Sequence, residues 1–329
     1  MNAETVREIF NINNLNTFNV TLNAVFQFQL TNNSIYKEWC KLLQPTIFDT
    51  VEATQIPFLP ISFFKTHAIQ SGNFIPSHTF ESSGTTTSVN SKHLIKDIAI
   101  YEQSFKQCFE KIYGNIDEYC IIGLLPSYLE RNNSSLVYMV NHWIQQSRFS
   151  ESGFYLNEFN QLAEVLQKLE NKQQKTLLIG VTFGLLDFVE QFSFPLQHTI
   201  VMETGGMKGR RTEMTRNEVH TILKNAFQIS EVHSEYGMTE LLSQAYSTGD
   251  GRFVCPPWMK VLVRSEDDPL QVSTNGRGVL NIIDLANIYS CSFIATDDVG
   301  IVYEDGSFEV LGRMDNSDIR GCSLMVMNN

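Results

Sequence analysis

The sequence is short of basic residues, of cysteine and of long apolar runs, and each shortage argues against a class of function. Lys and Arg total 24 against 36 Asp and Glu, a formal net charge of −12. That balance leaves no basic surface for nonspecific nucleic-acid or anionic-membrane binding. A small anionic ligand held by local donors and a metal is still compatible with it. The longest apolar stretch, residues 177–189, is broken by Thr182 and Asp187. It falls short of the roughly 18 residues that a membrane span needs. Residues 1–10 carry Glu4, Arg7 and Glu8 with no apolar run behind a basic start, so no targeting segment is expected there. The six cysteines, Cys40, Cys108, Cys120, Cys255, Cys291 and Cys322, are dispersed without a C-x-x-C pair. This argues against a zinc ribbon or a redox dithiol, and a reduced, cytoplasmic setting is the expectation.

What is present is ample core material. The 329 residues are 43% hydrophobic and only 18% charged, enough for one large or two ordinary domains. No internal repeat, low-complexity tract or long linker divides them. The first 75 residues read as helices with turns around Pro45, Pro57, Pro60 and Pro76. Helical spacing then runs over residues 92–113, with Leu94, Ile98, Tyr101, Phe105 and Phe109 on one stripe.

Short apolar runs at 119–125, 176–181, 199–203 and 229–235 read as buried strands. Between and after them lie helical segments at 136–146, 156–170, 184–191 and 215–227. This alternation predicts an α/β fold whose mainly parallel sheet is covered on both faces. From Trp258 onward closely spaced runs (260–264, 278–284, 289–296 and 300–303) predict a β-rich part. The expected organisation is a single domain over 1–329, with an α/β core at about 76–245 and a β-rich subdomain at about 255–312.

Five local patterns carry chemistry. Residues 81–88 place Ser83, Gly84, Thr85 and Thr86 in a run of small hydroxyl side chains. Such a loop leaves backbone N–H groups open to phosphate oxygens, the more so where it enters a helix N-terminus, as the spacing from residue 92 suggests. A Ser/Thr-rich surface turn has the same composition, and the pattern is not a Walker A loop. Tyr236-Gly237-Met238-Thr239-Glu240 follows the strand at 229–235. Ligands bind at the carboxyl ends of strands in open α/β sheets, yet the same run suits a strand-to-helix turn with Glu240 as a first-turn acid. Gly205-Gly206 follows another strand. Thr296-Asp297-Asp298 reads either as a sugar or metal site or as a hairpin turn. Gly312-Arg313-Met314-Asp315 comes last, ahead of Arg320-Gly321-Cys322.

In order and spacing these patterns resemble the adenylate-forming superfamily of acyl-CoA synthetases, adenylation domains and luciferases. Ser83-Gly84-Thr85-Thr86 matches the start of its S-G-T-T-G-x-P-K loop, while Thr87, Val89 and Asn90 replace the final Gly, Pro and Lys. Residues 236–240 match Y-G-x-T-E, Asp298 keeps the last residue of T-G-D, and Gly312-Arg313-x-Asp315 matches G-R-x-D. The segment Pro57-Phe-Leu-Pro-Ile-Ser-Phe-Phe-Lys65 and the late Cys322 bring the likeness closest to LuxE-like acyl-protein synthetases, relatives of phenylacetate–CoA ligase. The resemblance covers the chain from about residue 57.

That resemblance implies the large N-terminal domain of the adenylate-forming fold, without the C-terminal lid and its lysine. It implies activation of a carboxylic acid, fatty or aryl, as acyl-AMP with ATP and Mg²⁺, then transfer to a thiol. Ser83, Thr85 and Thr86 would hold the β/γ-phosphates, Thr239 the α-phosphate, Glu240 the Mg²⁺, and Asp298 and Arg313 the ribose. Tyr236, with Gly237 beside it, would stack on adenine, and Gly205 and Gly206 would line its slot. Cys322 would accept the acyl group; by residue type alone it reads equally as a small buried hydrophobe. Two alternatives remain at this level. One is an acyl-CoA or acyl-carrier-protein ligase in which the acceptor attacks the adenylate directly; the other is a non-catalytic nucleotide-binding scaffold. The partners implied are the acid and an acyl acceptor (CoA, a carrier protein or a reductase), with no nucleic acid and no membrane segment. No histidine is assigned a catalytic part.

Overall fold

In the computed structural model of the chain, the residues described are 3–43, 51–82, 89–125, 133–205 and 214–314. Three helices come first: α1 (Ala3–Phe10), α2 (Leu15–Asn32) and α3 (Ser34–Leu43). Asn14 starts α2 through a capping box with Thr17, the side chain of each bonding the other's backbone N–H. The buried stripe Phe18, Leu22, Val25, Phe26 and Gln29 has helical spacing. A two-residue strand, β1 (Leu59–Pro60), and a single helical turn, α4 (Phe63–Thr66), follow. Strands β2 (His78–Glu81) and β3 (Lys92–Ile95) then pair antiparallel, with Glu81 opposite Lys92.

The helix expected over 92–113 is therefore shorter, α5 (Ile98–Tyr113). Asp97 starts it, its side chain accepting from the Ala99 N–H, and the four residues from Lys92 are committed to β2 instead. Tertiary pairing has overridden a local periodicity.

The parallel sheet comprises β4 (Cys120–Leu124), β5 (Gly153–Phe154), β6 (Thr176–Val181), β7 (Thr199–Thr204) and β8 (His233–Tyr236), closed by the antiparallel β9 (Ala245–Ser247). The strand order is β5-β4-β6-β7-β8-β9. Helices α6 (Ser135–Gln146), α7 (Phe159–Asn171), α8 (Thr182–Val189) and α9 (Arg216–Phe227) connect and cover it. Adjacent strand residues point to opposite faces. Leu177 and Ile179 join Trp143, Phe105 and Phe109 on one side. Leu178 joins Leu166, Phe188 and Leu223 on the other. Burial on both faces explains the unbroken apolar runs of these strands.

The second sheet is β-rich as expected: β10 (Met259–Arg264), β11 (Val272–Ser273), β12 (Gly276–Asp284), β13 (Phe293–Val302) and β14 (Phe308–Arg313). Its pairings are antiparallel except that β1 lies parallel to β13. The runs at 289–296 and 300–303 are parts of one strand, so Thr296-Asp297-Asp298 lies within β13 and closes no hairpin. One apolar cluster runs without a break from α2 through α5 and this sheet to the near face of the parallel sheet. Among the described residues no helix is long and apolar enough to cross a membrane.

Candidate nucleotide site

The motif residues meet where the two sheets meet. Tyr236 ends β8 in the parallel sheet, Asp298 lies mid-β13, and Arg313 ends β14 in register with Asp298. Tyr236 Oη donates to Asp298 Oδ2 at 2.8 Å, and Arg313 Nε donates to Oδ1 at 2.9 Å. The Asp298 side chain is 8% exposed and that of Arg313 is 70% exposed, so the pair presents its cation outward. Burial first, and the Asp298 carboxylate second, push the Tyr236 phenol well above its ordinary range and keep it a donor. The Tyr236 ring is itself buried, edge-on to Phe308 at 5.2 Å and tilted against Phe253 at 5.7 Å. Thr296 Oγ1 accepts from the Asp298 N–H and donates to Leu280 O, which fixes the strand from which Asp298 projects.

Residues 237–241 form a turn, closed by the Leu241 N–H to the Met238 carbonyl, and lead to strand β9. Glu240 is thus no first-turn acid of a helix. Its carboxyl is buried, and burial raises its pKa against the lowering effects of a Ser91 hydrogen bond, Arg313 and Lys65. A Cβ at Gly237 would press on the Glu235 carboxylate, which would have to shift to admit it. Thr239 is half-buried.

Ser83, Gly84, Thr85 and Thr86 lie outside the described residues, as do Gly206 and Cys322. The residues on either side of the Ser83–Thr86 run are described. Ser82 N–H donates to Ser91 O, and Ser91 N–H donates to Ser82 Oγ. The run therefore lies between two paired strands, β2 and β3, and the residues after it continue as β3, not as a helix. Ser91, just ahead of β3, is the residue that bonds the Glu240 carboxyl. Gly205, after β7, adopts φ +69°, a conformation that glycine tolerates best. The structure thus brings together Ser91 with Glu240, and Tyr236 with Asp298 and Arg313.

Several side chains that support this site were not singled out in the sequence. Asp284 accepts from the Leu242 and Ser243 N–H groups at 2.9 Å each, just beyond the turn. His93 and Asn287 bond the turn's own carbonyls. Behind Gly205, Glu203 accepts from Thr182 and Ser234 and pairs with Arg216 and His220. Burial works to raise its pKa, but His220 and Arg216 bring it below the ordinary value. Glu235 contrasts with it. Its carboxylate accepts from the Thr204 hydroxyl, and burial lifts its pKa from 4.5 to about 7. Among the described residues no three His, Cys, Asp or Glu side chains converge on a point.

Two sheets joined in this way recur in known enzymes. ATP-bound MatB from Rhodopseudomonas palustris superposes with a TM-score of 0.54 at 13% identity, over 81% of this chain and 50% of that one. The chain thus spans half the length of that solved protein. The fold is that of the large N-terminal domain of adenylate-forming enzymes. Residues 8–329 match the family model described as acyl-protein synthetase, LuxE. The chain belongs to the LuxE acyl-protein synthetase family and is an enzyme of the ligase class. It is 20% identical over 336 residues to the long-chain-fatty-acid–luciferin-component ligase of Aliivibrio fischeri, covering 92% of this chain and 86% of that protein. To the Vibrio harveyi protein of the same name it is 21% identical over 335 residues, covering 92% and 85%.

Proposed function

We propose that this enzyme joins a long-chain fatty acid to AMP at the expense of ATP and then passes the acyl group to a thiol, that of Cys322. The carrying observation is the convergence of Tyr236, Asp298 and Arg313 beside the Glu240 turn. The acid class is taken from the names of the two luminous-bacterium relatives. In the first step the carboxylate oxygen attacks the α-phosphorus and the bond to the bridging oxygen breaks, releasing pyrophosphate. In the second, sulfur attacks the acyl carbon, the C–O bond to AMP breaks, and the thiol proton is lost to solvent.

The described residues fit a nucleotide. Asp298 has lone pairs beyond its two present donors to accept from ribose hydroxyls, and Arg313 faces solvent beside it. Gly205 and Gly237 are exposed at the ends of their strands. With most of its ring already covered, Tyr236 would offer adenine an edge and would hold Asp298 in place. Glu240 fits a single-carboxylate Mg²⁺ site completed by substrate phosphates and water. When bound, Mg²⁺ supplies charge neutralisation across the phosphates. The hydroxyls of Ser83, Thr85, Thr86 and Thr239 would donate to the same oxygens.

The test is carboxylate-dependent exchange of labelled pyrophosphate into ATP, run across fatty, aryl and amino acids. Exchange greatest with long-chain acids, with a hydroxylamine-sensitive acyl label on the protein, is the expected result. No exchange with any acid would overturn the adenylation step. A thioester that forms only on added CoA or carrier protein would replace Cys322 by direct attack of that acceptor.

A further inference from the structure

The groups that hold the Thr239-Glu240 turn lie outside the motif. His93, on β3 and wholly buried, places Nδ1 2.7 Å from the Thr239 carbonyl oxygen. A carbonyl only accepts, so Nδ1 carries the proton and Nε2 the lone pair. Asn287, equally buried, donates from Nδ2 to the next carbonyl, that of Glu240, at 2.6 Å. Consecutive carbonyls of one turn are thus each capped by a buried side chain from a different sheet region.

The far sides of both clamps meet as well. His93 and Asn287 lie within reach of each other, and among the described residues their acceptors Nε2 and Oδ1 have no donor. Both line a cavity of about 10 Å³ with Leu242 and Ser290. Ser91, two residues before His93 and so on the same face of the extended segment, bonds the Glu240 carboxyl. The segment that leaves the phosphate loop therefore touches the turn twice, at its carboxylate and at its backbone.

We propose that His93 and Asn287 are positioning residues of the nucleotide site, clamping the Thr239 and Glu240 carbonyls so that β3 keeps the metal carboxylate in register with the phosphate hairpin. This rests on the reading of Glu240 as the Mg²⁺ ligand. A turn locked before ligand arrives needs no reorganisation when the metal-bound triphosphate docks. Without the clamp the carboxylate would wander relative to the loop. The loss would fall on the contribution of Mg²⁺ to ATP binding and not on ATP binding itself.

The experiment measures ATP affinity of the full chain with and without Mg²⁺, together with thermal melting, for the wild type and for His93→Leu, His93→Asn, Asn287→Ala and Glu240→Gln. Asparagine can set an amide N–H where Nδ1–H sits, so His93→Asn is the conservative rescue. His93→Leu and Asn287→Ala are expected to lose about tenfold of the affinity gained from Mg²⁺, while metal-free ATP binding stays within about twofold. His93→Asn is expected to restore the gain. A folded His93→Leu or Asn287→Ala that keeps the full gain, beside a Glu240→Gln that loses it, overturns the clamp alone. Should His93→Leu not fold, Asn287→Ala decides in the same way. A Glu240→Gln that keeps the full gain removes the metal assignment and the purpose of the clamp with it.

Discussion

Tyr236 and Asp298, 62 residues apart, are joined by a 2.8 Å hydrogen bond that crosses from the parallel sheet to the antiparallel one. Tyr236→Phe should keep the ring packing and lose the bond, raising the ATP concentration needed for half-maximal exchange several-fold with little change in maximal rate. Asp298→Ala should raise it by roughly tenfold or more, because hydrogen bonds to a charged group are worth about 1.5–3 kcal/mol. Contacts made equally in ground and transition states act on KM. Unaltered ATP dependence in Asp298→Ala would remove the ribose role.

Glu240→Gln separates metal binding from folding. Burial already disfavours the charge of this carboxyl, so an amide of the same size should leave the melting temperature unchanged or higher. Mg²⁺-dependent pyrophosphate exchange should fall by at least about a hundredfold, the scale on which losing a charge-stabilising group is felt. Exchange at the wild-type rate would take Glu240 out of the chemistry.

Cys322→Ser divides the two half-reactions. Exchange should persist, since it needs only the nucleotide and acid sites, while the hydroxylamine-sensitive acyl label should vanish. A hydroxyl is almost wholly protonated near neutrality and a far weaker nucleophile than a thiol. A label that survives with thioester lability would assign the acyl group to another sulfur.

Glu235 sets a pH dependence of stability. Its folded pKa, about 7, lies above the ordinary 4.5, so the native state binds the proton more tightly than the unfolded chain. The stabilisation is full below pH 4.5 and is lost as pH rises through 7, on the order of 3 kcal/mol at its upper limit. Glu235→Gln, which mimics the neutral acid, should flatten the decline in unfolding free energy between pH 5 and 8. A variant that declines as steeply as the wild type would show that the carboxyl is not buried neutral.

Much of the architecture was legible because the parallel strands are buried on both faces. The run at 176–181 coincides with β6, and 199–203 stops one residue short of β7. Legibility failed where pairing partners are distant or irregular. Lys92 to Ile95 carries helical spacing but pairs with β2, and β13 reads as two runs because Asp297 and Asp298 interrupt its apolar character. The site divides likewise. Tyr236, Asp298 and Arg313 announce themselves by local pattern. His93 meets Thr239 across 146 residues and Asn287 meets Glu240 across 47, so only the fold reveals them. The nearest sequence signal was a lone histidine ahead of the apolar pair Leu94-Ile95.

The joining of β1 to β13 has a consequence for synthesis of the chain. Leu59 pairs with Ile294, and the buried Gln29 amide bonds the carbonyls of Asn287 and Ile288, more than 250 residues ahead. A ribosome moving at about 5–20 residues per second needs on the order of ten seconds or more to cover that distance. Until then Phe18, Leu22 and Phe26 have made their helix but lack the strands that bury them. The opening helices are therefore the part of the nascent chain with the longest wait, and the part a holding chaperone would most benefit.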